Sequence, residues 1–144
     1  MLSRCRVVAS VRIGLLLALA VGLDMGCRRS ENDFRPGVSD AQAALGAALD
    51  AWKAEAKPGA PIQPADGAGR VIQLFDSDFT AGKKLASWKI DSSDVPAEGP
   101  CSFSVTLEFQ GAPQAVTAKF YVTGIAQHYS IFRDRDYEQR AGQM

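Results

Sequence analysis

Two stretches of this chain alternate apolar and polar residues with a period of two. In the first, Phe103, Val105, Leu107 and Phe109 interleave with Ser104, Thr106 and Glu108; in the second, Val116, Ala118, Phe120 and Val122 interleave with Thr117, Lys119, Tyr121 and Thr123. That period belongs to an extended strand with one buried and one wet face. The connection Gln110-Gly111-Ala112-Pro113 is short enough for a hairpin, so the two runs predict an antiparallel pair. Leu85 to Ile90 reads as a strand before them, and about Gln127 to Arg133 as a last strand after a turn near Gly124. Val71-Ile72-Gln73-Leu74-Phe75 reads as a short strand or extended approach, and Asp76 to Gly82 as a single helical turn.

A helix is predicted from Ser39, because Ser39 and Gln42 have the spacing of a capping box in which each side chain satisfies the other residue's free backbone N–H. Ala41, Leu45, Ala48, Leu49, Trp52 and Ala56 follow at three- and four-residue intervals, whereas Asp40, Asp50, Lys53 and Lys57 lie opposite. This is an amphipathic helix that covers a sheet and ends at Pro58-Gly59. The stretch from Pro58 to Arg70 contains three prolines and reads as a connecting loop. The expected fold is α+β: an N-terminal amphipathic helix packed on a curved antiparallel sheet of about four strands, forming one domain over residues 38–144.

Ahead of that domain, Arg4, Arg6 and Arg12 precede the apolar run Ile13 to Leu23, and Gly26-Cys27 follows. This is the layout of a secretory signal, and its 11 apolar residues fall short of the roughly 20 that a membrane-spanning helix needs. Leu23-Asp24-Met25-Gly26-Cys27 resembles a bacterial lipoprotein signal, although Leu23 lies one position further from the cysteine than usual and Asp24 takes its place. The resemblance implies a signal over residues 1–26, lipidation of Cys27 and a membrane anchored through it. Ala18-Leu19-Ala20 is a competing small-x-small site, and cleavage after Ala20 would instead release a secreted protein. Residues 27–37 are polar, contain Pro36-Gly37 and read as a tether.

Charge narrows the partners. The chain has 16 basic and 16 acidic residues and no basic stripe interleaved with aromatics, which argues against nucleic acid. With Cys5 in the basic flank and Cys27 lipidated, Cys101 has no intramolecular partner and reads as a small core residue. No catalytic, cofactor or metal motif is visible. His128 is the only histidine, which excludes a multi-histidine metal site, and no serine lies in a nucleophile elbow. Asp76 and Asp78, or Asp91 and Asp94, have the types for paired carboxylates or calcium ligands, but they lack the glycine-punctuated loop and read as turn-forming and capping residues. Gly82-Lys83-Lys84 lacks the remainder of a phosphate loop. Arg133-Asp134-Arg135-Asp136 reads as a charged strand edge that discourages aggregation.

The order of elements resembles the cystatin-like and nuclear-transport-factor-like α+β folds. The resemblance is carried by Ala41-x3-Leu45-x3-Leu49-x2-Trp52-Lys53, by Ala81-Gly82-Lys83-Lys84-Leu85 leading to Trp88, and by Phe120-Tyr121-Val122 through Phe132-Arg133-Asp134, and it spans about residues 38–135. The Gln-x-Val-x-Gly loop of the cystatin inhibitors is absent, so protease inhibition is not implied. Such folds host enzymes, inhibitors and binding modules alike. Two functions are expected. The first is an exported, lipid-anchored, non-enzymatic domain of the cell envelope that binds a protein or small-molecule ligand through the open face of its sheet, where Ser104, Thr106, Thr117, Lys119 and Tyr121 point outward. The second is a nuclear-transport-factor-like pocket, enzymatic or ligand-binding, between helix and sheet, lined by His128, Tyr129 and the tryptophans.

Overall fold

A computed structural model describes residues 35–97 and 99–141, the last four by backbone alone. The expected signal segment, Cys27 and the expected tether up to Phe34 lie outside the described residues. The chain forms α1 (Val38–Lys53), β1 (Val71–Phe75), α2 (Ser77–Thr80), β2 (Leu85–Asp94), β3 (Cys101–Phe109), β4 (Val116–Ile125), β5 (His128–Arg133) and α3 (Asp134–Ala141). This is an α+β architecture with one helix packed on one face of an open sheet.

The sheet has five strands rather than four, in the order β1-β5-β4-β3-β2. Strands β2 to β5 make the expected antiparallel meander, with Val105 opposite Ala118 and Val122 opposite Ile131. The sheet is nevertheless mixed, because β1 pairs parallel with β5, setting Ile72 beside Tyr129 and Leu74 beside Ile131. Ile62 exchanges two backbone hydrogen bonds with Ile72 and so covers part of the outer edge of β1. Strand β2 closes the other edge. It runs beyond Ile90 to Asp94, with register shifts between Leu85 and Ser87 and between Ile90 and Ser92.

The period-two reading assigns the faces correctly. Phe103, Val105, Leu107, Ala118, Phe120 and Val122 are buried, and they meet Ala41, Ala44, Leu45, Ala48, Leu49 and Trp52 of α1 in one core. Val116 departs from the pattern. It begins β4 at the hairpin end and is exposed.

Helix α1 differs at both ends from the expected limits. It starts at Val38 with Gly37 as its cap residue, and no side chain caps it, so Ser39 and Gln42 form no capping box. Its entry is held from outside the helix: Cys101 Sγ donates to the Pro36 carbonyl at 3.5 Å and Arg35 Nη1 donates to the Ala97 carbonyl at 3.3 Å, while within the helix Ala41 N–H closes the first turn onto Gly37 at 2.8 Å. It ends at Lys53, before Pro58-Gly59. Glu55 takes a left-handed φ of 60°, while Ala56 N–H bonds the Ala51 carbonyl and Glu55 N–H the Trp52 carbonyl. Those two bonds are a Schellman closure, usually built on glycine.

Candidate functional site: an aspartate–arginine cluster beneath the helix end

Between β1 and β2 the chain must cross from one edge of the sheet to the other. It does so through α2, a four-residue turn whose Phe79 ring packs on Trp52 with centroids 5.4 Å apart. Asp76 caps α2, with Oδ1 accepting from the N–H groups of Asp78 at 2.6 Å and Phe79 at 3.0 Å. The capping role read from the sequence is therefore present for Asp76.

The sequence did not reveal what stands opposite. Arg133 ends β5 on its core face and is buried, donating to Asp78 Oδ2 and lying 3.5 Å from Asp76 Oδ2. Asp78 also pairs with Lys83 at 2.8 Å and with Arg135 at 3.0 Å. The Asp136 carboxylate accepts from the Ser77 N–H at 3.2 Å, tying α3 to the start of α2. Arg133 to Asp136 are thus no strand edge. The strand stops at Arg133, a helix begins at Asp134, and the two arginines turn inward to carboxylates that are remote in sequence.

The two carboxylates are driven in opposite directions. For Asp78, burial alone would raise the pKa, but hydrogen bonds from Lys83, Arg133 and Arg135 outweigh it and hold it at about 2. For Asp76, burial dominates and raises the carboxyl above the ordinary value, opposed by the Phe79 N–H, the Arg133 charge and the Asp78 N–H. Its Oδ2 is buried without a hydrogen-bond partner. The geometry holds α2, β5 and α3 together, since every cation that reaches Asp78 comes from one of these elements or from the loop that follows α2.

The remaining candidates are scattered. His128 is exposed at the first position of β5, whereas its neighbour Tyr129 points into the core. Trp52 is buried and donates from Nε1 to the Lys83 carbonyl at 2.7 Å. Trp88 lies across α1 with Gly46 beneath its ring and donates to Asp50 Oδ1 at 3.0 Å. The residues proposed to line a pocket are therefore not gathered around one. Their interior position is filled by Leu45, Leu49, Phe103, Phe120 and Ile131, all fully buried.

Two surface depressions flank α1. One of about 160 Å³ is bordered by Trp52, Phe79, Lys83, Lys84 and Glu55, but Lys84 is paired with Glu55 at 2.7 Å and Lys83 with Asp78. The other, about 450 Å³ and open, lies along Ser39, Gln42, Ala43, Gly46, Trp88 and Ile90. Asp91 accepts from the Thr106 hydroxyl at 2.6 Å, and Asp94 is exposed at the end of β2, so that pair forms no joint site. Among the described residues no three His, Cys, Asp or Glu side chains converge as a metal site, and no helix is long and apolar enough to cross a membrane.

The face of the sheet away from α1 has two parts. Over β2 to β4 it is polar, with Thr106 bonded to Asp91 and the Ser87 hydroxyl donating to Glu108 at 2.5 Å. Over β1 and β5 it is aromatic: Phe75 stacks on Phe132 at 4.8 Å, and Tyr137 of α3 lies 4.6 Å from Tyr121. Lys119 extends over the Tyr121 ring where the two parts meet, 5.3 Å from its centroid. Compared with known proteins, the chain matches no family model, no curated protein and no solved structure.

Proposed function

We propose that this chain is an exported, lipid-anchored, non-enzymatic domain of the cell envelope, which binds a protein or small-molecule ligand through the polar part of its open sheet face. The observation that supports this reading most is how the ionisable groups are used. Among the described residues the one strongly perturbed pair, Asp76 and Asp78, joins α2, β5 and α3, and the interior beneath α1 is filled by apolar side chains. What remains accessible is the face bearing exposed Thr117 and Lys119 and half-buried Ser104, Thr106 and Tyr121, which offers polar groups beside an aromatic ring packed on Tyr137, without a convergent acid–base pair. A rigid sheet suits recognition, because its backbone is already ordered and only side-chain freedom is lost when its polar groups are engaged.

The reading is tested by placing a photo-cross-linking residue at Thr117 or Lys119, and separately at Lys53 on the outer side of α1, in cells that make the full chain. Adducts specific to the two sheet positions are expected. Equal adducts at all three positions, or none from the sheet, overturn the choice of face. A folded His128→Ala protein that loses ligand binding by an order of magnitude would replace this reading with the nuclear-transport-factor-like one.

A further inference from the structure

The tether enters the domain at a defined place. Pro36 accepts from Cys101 at the start of β3, and Arg35 reaches Ala97 in the loop between β2 and β3. The same end of the sheet holds the close of β2 at Asp94, which pairs with Ser102, the close of β4 at Ile125, which pairs with His128, and the first turn of α1. Three of the four large hydrophobic residues that are exposed among the described residues lie here: Val38 at 36%, Val95 at 41% and Ile125 at 45%. The fourth, Val116, sits opposite Leu107 at the other end. One exposed valine is ordinary on any protein surface; their gathering at the end where the tether enters is what needs a cause. The far end has a different character, with Lys53 closing α1 and Lys83 and Lys84 leading into β2.

We propose that this end of the domain is a membrane-contact surface, with Val38, Val95 and Ile125 seated among the headgroups of the lipid bilayer. The proposal rests on the anchored reading above and deepens it by fixing how the domain stands on the membrane. A chain spans at most about 3.6 Å per residue, so a tether from Cys27 to Arg35 reaches roughly 30 Å even when fully extended. That is about the diameter of a domain of this size, so the tether keeps the whole domain at the surface, and the entry end, where Arg35 and Pro36 join it, is the part nearest the anchor along the chain. Asp40 and Asp94 lie at this end beside Arg35 and Arg70, so these charges offset one another and the contact is apolar insertion rather than attraction to anionic lipid. Its orientation leaves the open sheet face along the side of the domain, clear of the membrane and available to a partner.

The test uses the mature lipid-anchored protein in vesicles of phosphatidylethanolamine and phosphatidylglycerol, with a fluorophore at Val95→Cys, Ile125→Cys or Val116→Cys and a nitroxide quencher on the lipid headgroups. Cys101 is fully buried, and unsubstituted protein carried through the same labelling controls for its reactivity. Quenching at positions 95 and 125 is expected to exceed that at 116 several-fold and to be the same at low and high salt. Equal quenching at all three positions in protein that floats with the vesicles overturns the contact surface and leaves the anchor standing. Protein that fails to float with the vesicles overturns the anchor, and the contact surface with it. If the 95 and 125 labels are instead shielded from aqueous iodide only as protein concentration rises, without lipid quenching, the end is an interface between two copies and the membrane proposal is wrong.

Discussion

A buried guanidinium needs negative charge within reach, and Arg133 finds it in Asp76 and Asp78. Removing one member of such a pair leaves the other desolvated without its partner, at a cost of about 3–5 kcal/mol. Arg133→Met keeps much of the side chain's volume and removes its charge, so it isolates that cost. The pH dependence is distinctive. Asp78, held at about 2, contributes stability that is present above the ordinary carboxylate range and is lost as pH falls toward 2. Asp76 has the opposite sign: its raised pKa means that its ionisation opposes folding, and loss of the Arg133 charge raises it further. Urea unfolding of Arg133→Met is therefore expected to show a larger deficit against wild type at neutral pH than in mildly acidic buffer. A deficit independent of pH would mean that the cluster contributes packing only.

At the level of elements, the core of the sheet and the helix that covers it were legible because both are periodic. The alternation of Phe103 to Phe109 and the stripe from Ala41 to Trp52 each name a buried face, and the structure joins those faces. Trp52 is the anchor of that contact, its ring 5.4 Å from Phe79 and 5.6 Å from Phe109. Trp52→Ala is expected to cost about 3–5 kcal/mol, enough to consume much of a small domain's stability, whereas Lys53→Ala, exposed one residue later, should leave the unfolding midpoint almost unchanged. Equal small effects would show that α1 is not docked through Trp52. The parallel pairing of β1 with β5 was not legible, because its partners Val71 and His128 are far apart in sequence and no turn signals the contact. The same holds for Arg133 and Arg135. A run of alternating charge looks like a solvated edge until β5 places Arg133 on its core face and α3 carries Arg135 to the same carboxylate, Asp78. The helix limits failed for a related reason: Ser39 and Gln42 have capping-box spacing, but contacts from Ala97 and Cys101 hold Arg35 and Pro36, and the helix starts from Gly37, two residues earlier.

Over the whole molecule, the chain is divided by length and by chemistry. The end of the domain where α1 begins carries exposed Val38, Val95 and Ile125; the other carries Val116 and lysines; an open polar sheet face lies between them. This polarity suits a domain held at one end and read from its side. It also makes the anchor the central claim, since both the proposed binding face and the membrane-contact end take their meaning from it. The claim is tested most directly by growing bacteria that express the full chain with labelled fatty acid and following label in the purified protein and in Cys27→Ser. The account predicts label in the wild type, none in the variant, and recovery of the wild type with the membrane fraction. Label that persists in Cys27→Ser, or a soluble wild-type protein that begins after Ala20, would contradict it.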